Sequence, residues 1–377
     1  MVLSGYVCLV GAGPGDAGLI TRQGLAYLKR AEVVLYDHLV PVELLLEVRN
    51  GCELINVGKR YGKPSHKQDA INELLIAKAR SGKFVVRLKG GDPFLFGRGG
   101  EEAQALVAAK IPYLFVPGVS TSLSVPAAAG IPVTDRRWAP GLTIGTGHRA
   151  DNAPVDQRYT QVILMSLENL AEVTGELIAQ GYPEDTSAAV ISRGTTPFQK
   201  LVAATLATIT ARVAQEQLPV PALLVVGAVV RLAKTLEWRS NLPLNGCRIL
   251  WTRPREDYDQ ALLANLRLLG AQVIHLPTFE IQPFDQDAIC AMLPELRESD
   301  WVVFTSRKAV KIFFHSMVAA GWDWRYFEAS RFAVVGERTA AAMRGFGHIP
   351  DLVAAESHSA RLLQELLALL KPQEQVA

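Results

Sequence analysis

Apolar residues along this chain fall into short, β-branched runs separated by stretches in which they recur with helical spacing. Runs at 6–10, 33–36, 53–57 and 84–88 read as strands, and 67–80 reads as a helix. Thr21 is placed to cap a further helix that runs to Arg30. The alternation of strand and helix predicts a parallel α/β sheet. A strand at 111–117 leads into Gly118-Val119-Ser120-Thr121-Ser122, and small residues crowd 120–130. That texture suits a helix packed closely on a ligand or another chain. The pattern changes around 132–137, and later strands are expected at 161–165, 188–191 and 222–226. Residues 239–245, with Pro243, read as a linker. A new α/β unit follows, with strands at 248–252, 272–276, 301–305 and 332–335 and a helix at 258–269. Gln364 and Glu365 interrupt the apolar stretch 362–370, which therefore reads as an amphipathic helix. The predicted organisation is 1–240 (subdomains about 1–117 and 118–240), a linker at 241–245, and a second unit at 246–377.

With 377 residues, 49% of them hydrophobic and 20% charged, the chain has the composition of a soluble globular protein. A formal net charge of +2 gives no bulk reason to expect nucleic acid as a partner. The four cysteines, Cys8, Cys52, Cys247 and Cys290, lack metal-ligand spacing, and Cys8 and Cys52 sit in apolar surroundings. No signal-type leader is visible, and no apolar run reaches the roughly 18 residues of a spanning helix. A reduced, cytoplasmic setting without membrane or metal is the expectation.

Two glycine-rich turns hold the candidate chemistry. Gly11-Ala12-Gly13-Pro14-Gly15-Asp16 follows the first strand, and Lys89-Gly90-Gly91-Asp92-Pro93-Phe94-Leu95-Phe96-Gly97-Arg98-Gly99-Gly100-Glu101-Glu102 follows the fourth. At the carboxyl ends of parallel strands such turns build a ligand cleft. The first invites a dinucleotide reading, with Asp37 where a ribose-binding acid would stand. Pro14 removes an N–H, however, and Asp16 places a carboxylate where a pyrophosphate needs a positive helix terminus. A phosphate-free, sulfonium-bearing ligand such as S-adenosylmethionine suits the loop better. Asp92 can accept hydrogen bonds from ribose hydroxyls or an amine. Lys59, Arg60, Lys63, Arg87, Lys89, Arg98, Arg136 and Arg137 gather near predicted strand ends, a rim suited to a polycarboxylate or phosphate. Asp37 is a candidate general base and Lys59 a candidate acid or anion-orienting group. His148, beside Gly145-Thr146-Gly147, is the one histidine next to a loop of functional character.

Taken together, 10–16, Val34-Leu35-Tyr36-Asp37-His38-Leu39-Val40, Val57-Gly58-Lys59-Arg60, 87–102, Val116-Pro117-Gly118, Gly130-Ile131-Pro132 and Thr146-Gly147-His148 resemble the uroporphyrinogen-III C-methyltransferases of the tetrapyrrole methylase superfamily. The resemblance implies two α/β domains with S-adenosylmethionine in the cleft, S-adenosylhomocysteine as coproduct, and a homodimer. It implies methylation of uroporphyrinogen III at two ring carbons to precorrin-2, for sirohaem and cobalamin biosynthesis. Carried over residue by residue, Pro14, Gly90, Gly91, Asp92, Leu95, Ser120, Thr121, Met165 and Gly194 match cofactor-binding positions. Asp37 matches the proton acceptor and Lys59 the proton donor. Arg60, Lys63, Arg98 and Arg136 are the expected substrate contacts. His38 stands where arginine is frequent, and Ser166 where glycine is frequent.

Leu250-Trp251-Thr252-Arg253-Pro254, Gly270-Ala271, Val303-Phe304-Thr305-Ser306 and Val335-Gly336-Glu337-Arg338-Thr339-Ala340 resemble the first half of uroporphyrinogen-III synthases, a flavodoxin-like α/β unit. The match stops short of a complete synthase, so this part is expected to be synthase-derived and inactive alone. The competing readings are an NAD-linked dehydrogenase, an RNA 2′-O-methyltransferase of the same superfamily, and a bifunctional methyltransferase/synthase.

Overall fold

The computed structural model describes residues 5–58, 68–147, 156–254, 260–279, 286–356 and 358–377. The chain divides into two compact units, Met1–Phe279 and Glu280–Ala377.

In the first unit, β1 (Tyr6–Gly11), β2 (Val33–Tyr36), β3 (Glu53–Asn56), β4 (Phe84–Lys89) and β5 (Tyr113–Val116) form a sheet of order β3-β2-β4-β1-β5. Every pairing in it is parallel. The helices α1 (Arg22–Arg30), α2 (Val42–Leu45), α3 (Gln68–Arg80) and α4 (Gly99–Ala108) cover both faces. Cys8, Val10, Val34, Val86 and Leu88 pack with Leu28 of α1 and Leu44 of α2. The alternate positions, Val7, Leu9, Val33, Leu35 and Val85, pack with Leu75 of α3 and Leu106 of α4. Two covered faces require apolar residues at consecutive strand positions. Each fully buried aliphatic side chain contributes about 1.5–3 kcal/mol. Burial pushes the Cys8 thiol up to about 12, as expected of a packing cysteine. Thr21 caps α1 as predicted, its Oγ1 accepting from the Gly24 N–H at 3.0 Å.

After α5 (Thr121–Ala128) comes a second sheet, built from β6 (Leu142–Thr146), β7 (Thr160–Leu164), β8 (Ser187–Ser192), β9 (Lys200–Thr205) and β10 (Ala222–Val226) in the order β6-β7-β10-β8-β9. The helices α6 (Leu170–Ala179), α7 (Ile209–Glu216) and α8 (Ala233–Leu236) accompany it. This sheet is mixed, unlike the first. Only β6 and β7 run parallel, and β10 pairs antiparallel with β7 and β8, as does β9 with β8. The edge strands β6 and β9 have no counterpart in the sequence reading. Gly145 and Thr146 of β6 read as loop residues, and β9 has the short, half-exposed pattern of an edge.

β11 (Arg248–Trp251) and β12 (Gln272–His275), joined through α9 (Gln260–Leu268), form a parallel two-stranded sheet within this same unit. A 3₁₀ turn at Arg239–Asn241 occupies the expected linker. The second unit holds α10 (Gln286–Arg297), β13 (Trp301–Phe304), α11 (Arg307–Ala319), β14 (Arg331–Val334), α12 (Glu337–Gly345), β15 (Leu352–Val353) and α13 (Ser359–Leu369). Its sheet, β13-β14-β15, is parallel. Phe304, Phe313, Phe314, Phe327 and Phe332 make its core. On α13, Leu362 and Leu366 are buried while Leu363 and Leu367 are exposed, the amphipathic split the pattern predicts. Among the described residues, no helix is long and apolar enough to cross a membrane.

Candidate functional site

The loops that follow β1, β2, β3 and β4 open on one cavity of about 1270 Å³, whose other wall comes from the ends of β7, β8 and β10. Backbone contact builds the floor. A Cβ on Gly11 would lie 2.4 Å from the Gly118 Cα, and one on Gly118 would lie 2.1 Å from the Gly91 carbonyl oxygen. No side chain fits where these three loops converge. Gly13 and Gly91 exchange backbone hydrogen bonds at 3.3 and 2.7 Å. Asp92 ties the floor together, its Oδ1 accepting from the Phe94 N–H (2.8 Å) and its Oδ2 from the Gly118 N–H (3.0 Å). Both oxygens thus serve the backbone, and any ligand hydroxyl must use their remaining lone pairs.

Asp16 departs from the dinucleotide pattern in a specific way. Its Oδ1 accepts from the Gly18 N–H at 2.8 Å and caps the 3₁₀ turn Ala17–Leu19. The loop therefore runs into a single turn, and α1 starts only after Thr21. The loop thus does not lead directly into an α-helix N-terminus of the kind that holds a pyrophosphate in the dinucleotide pattern. Across the cleft, the Asp16 N–H donates to the Thr195 Oγ1 at 3.1 Å. A Cβ on Gly194 would sit 2.3 Å from Val125 of α5. Ser120 caps α5, its Oγ accepting from the Ser122 N–H. Met165 follows β7 with φ +54° and is half-exposed. All nine residues expected at the cofactor, Pro14, Gly90, Gly91, Asp92, Leu95, Ser120, Thr121, Met165 and Gly194, line this one cavity. The floor is glycine backbone tied by the Asp92 carboxylate, an anionic group that fits a sulfonium-bearing S-adenosylmethionine better than a pyrophosphate.

Asp37 stands at the end of β2 in the cavity wall, its side chain 30% exposed. Behind it lies a buried charge network. Arg87 and Lys89 of β4 share the strand face of Val85, which α4 covers, and there they meet Glu102. Glu102 Oε1 accepts from Arg87 Nε (3.0 Å), Lys89 Nζ (2.9 Å) and Gln68 Nε2 (3.3 Å). Arg87 Nη2 then donates to Asp37 Oδ1 at 2.5 Å, and Lys89 Nζ lies 3.9 Å from Asp37 Oδ2. Two nearly buried cations are balanced by the buried Glu102 and the partly exposed Asp37, which offsets the desolvation cost. Burial, and then the Arg87 charge, pull the Lys89 ammonium below its usual range, while Glu102 and Asp37 oppose the shift.

This network corrects part of the expected basic rim. Arg87 and Lys89 touch the cavity, but they are almost fully buried and bonded to carboxylates, so they hold Asp37 in place and are not free charges of an exposed rim. Arg98 does line the cavity, paired through Nε and Nη2 with Glu101 at 2.8 and 2.7 Å. Arg136 is exposed and is not among the lining residues. Reciprocal backbone bonds between Asp135 and Ala139 fold its loop into a turn. Arg137 pairs with Asp135 in the same turn. Lys59, Arg60, Lys63 and His148 lie outside the described residues. His38 lines the wall beside Asp37, and Gly58 touches its backbone so closely that a Cβ would come within 2.1 Å of the His38 nitrogen. Ser166 is buried and donates to the Ile163 carbonyl at 3.1 Å, closing the loop behind Met165. The sequence reading missed Arg193, Phe198, Arg248 and Gln272, all of which line the cavity. Arg193 directly precedes Gly194 at a strand end and had a local signal; the other three did not. Among the described residues, no group of three or more His, Cys, Asp or Glu side chains is arranged to hold a metal.

Comparison with known proteins gives two matches along the chain. The family of Tetrapyrrole (Corrin/Porphyrin) Methylases covers residues 6–210, and that of Uroporphyrinogen-III synthase HemD covers residues 260–377. The chain is 37% identical over 356 residues to a porphyrin biosynthesis protein HemD of Ruminiclostridium josui, covering 92% of this chain and 70% of that one. It is 48% identical over 246 residues to siroheme synthase 1 of Yersinia enterocolitica, covering 63% of this chain and 52% of the relative, so it spans about half that protein's length. It is 46% identical over 238 residues to a uroporphyrinogen-III C-methyltransferase of Methanocaldococcus jannaschii, covering 61% of this chain and 98% of the relative. A crystal structure of uroporphyrin-III C-methyltransferase from Thermus thermophilus, complexed with S-adenosyl homocysteine, superposes with a TM-score of 0.51 at 38% identity. It covers 60% of this chain and all of that one.

Proposed function

The chain belongs to the tetrapyrrole methylase family, and on that premise we propose that it methylates uroporphyrinogen III at two ring carbons, giving precorrin-2. The observation that carries the reading is the shared cavity: the glycine floor and Asp37 open on the same space. S-adenosylmethionine supplies a methyl group on a sulfonium sulfur, ready for in-line attack by a pyrrole carbon. In this reading Pro14, Gly90, Gly91, Asp92, Leu95, Ser120, Thr121, Met165 and Gly194 hold it, and Asp92, Ser120 and Thr121 are the polar side chains of the set. Asp37 takes the proton that the alkylated ring must lose, and Arg87 keeps the carboxylate aimed into the cavity. Lys59 is the proton donor by its motif position. Arg98 and Arg193 face the carboxylates of the tetrapyrrole. The methyltransferase part spans 1–240, with 241–245 joining it to a synthase-derived part at 246–377.

The product would enter sirohaem and cobalamin synthesis in the cytoplasm. A homodimer is the assembly in this reading, supported by Tyr113 and Leu114, exposed on the edge strand β5. The dehydrogenase alternative loses its support with the loop geometry around Asp16. The test of the site is Asp37→Asn, in which S-adenosylhomocysteine binding by calorimetry stays unchanged while methyl transfer falls by roughly 10²–10⁴-fold. Wild-type turnover in that variant would remove Asp37 from the chemistry.

A further inference from the structure

We propose that Arg248, contributed by the segment beyond the methylase match, binds a peripheral carboxylate of the tetrapyrrole in the methyl-transfer cavity. This rests on the methyltransferase reading given above. Arg248 begins β11 and lines the cavity together with Gln272 of β12. Arg248 lies outside the 6–210 match, and Gln272 lies inside the 260–377 match. The synthase-like part therefore supplies a piece of the wall in which the methyltransferase works.

Arg248 is fixed in place. Its Nε donates to Gln272 Oε1 at 2.7 Å, and Gln272 Nε2 donates to Glu43 Oε1 of α2 at 2.6 Å. Its Cζ lies 5.0 Å over the Phe198 ring, another cavity residue. The Gly246 N–H donates to the Pro197 carbonyl at 2.9 Å and ties the start of the strand to the same loop. The amide of Gln272 stands between Arg248 and Glu43, so the nearby carboxylate orients the guanidinium without neutralising it. With Nε occupied, Nη1 and Nη2 make no hydrogen bond to the described residues. A planar fork held this way is arranged for bidentate contact with a carboxylate. The lining cations of β4 and the one just before α4 are engaged: Arg87 and Lys89 by Glu102, and Arg98 by Glu101. Arg193 and Arg248 are left, among the described residues, as cavity arginines without a carboxylate partner. A ligand carrying several carboxylates is what such a pair recognises.

The test uses the full chain and initial-rate kinetics with uroporphyrinogen III and S-adenosylmethionine. Arg248 is exposed, so its replacement leaves the core intact. Arg248→Ala is expected to raise KM for the tetrapyrrole roughly three- to tenfold, with kcat and KM for S-adenosylmethionine held. Arg248→Glu raises it further, and Arg248→Lys recovers part of the loss by restoring charge without the fork. The dependence of KM on ionic strength flattens in Arg248→Ala. An active wild-type chain whose Arg248→Ala and Arg248→Glu variants keep the wild-type KM overturns this inference alone. A wild-type chain that transfers no methyl group overturns it together with the reading beneath it.

Discussion

Glu102 gathers three donors on one oxygen, while its Oε2 has no hydrogen-bond partner among the described residues. Replacing it with glutamine leaves the shape and removes the charge that balances Arg87 and Lys89. Glu102→Gln is therefore expected to cost on the order of 2–4 kcal/mol, read as a lower denaturant midpoint at an unchanged slope. An unchanged midpoint would mean that water, and not Glu102, compensates the two cations. The same network explains where residue-level reading of the sequence succeeded and failed. Pro14 and Asp16 told against a phosphate ligand because each acts locally, through a missing N–H and a cap. Arg87 and Lys89 look like rim residues in the sequence because their partner, Glu102, stands in the first turn of α4 beyond the loop, and a charge at a strand end looks alike whether solvent or a helix covers it.

The elements of the first sheet were legible because consecutive β-branched positions reflect burial on two faces, a strong signal in a short run. The second sheet was legible only in its central strands. β6 and β9 at its edges depend on tertiary pairing that their own residues barely encode. A pH effect belongs at this scale, in the aromatic packing around β14. His348 rests edge-on against Phe332 at 4.6 Å, and burial lowers its tendency to protonate, with Asp351 opposing. The unfolded chain thus takes up this proton near the ordinary histidine value of about 6.5, while the folded chain resists it. The stabilisation is present above about pH 6.5 and is lost as pH falls from there towards the lower folded value. Thermal melts at pH 7.5 and 5.5 should show a drop that is smaller in His348→Leu than in wild type. An equal drop in both would assign the acid sensitivity to other groups.

At the scale of the molecule, the family matches and the compact units do not share a boundary. The synthase match begins at 260, whereas the first compact unit extends to Phe279 and includes α9 and β12. The sequence reading divided the chain at 241–245 because Pro243 and the polar run look like a linker. It could not register that β11 and β12 pack with the methylase part through contacts such as Gln272 to Glu43. All nine residues expected at the cofactor nevertheless line one cavity: Pro14, Gly90, Gly91, Asp92 and Leu95 follow strands of the parallel sheet, Ser120 and Thr121 start α5, and Met165 and Gly194 follow β7 and β8 of the second sheet. The most direct test of the account is the product mass after anaerobic incubation of the pure chain with uroporphyrinogen III and S-adenosylmethionine. The account predicts a gain of two methyl groups in wild type, absent in Asp37→Asn; an unmodified tetrapyrrole from a chain that still binds S-adenosylhomocysteine would contradict it.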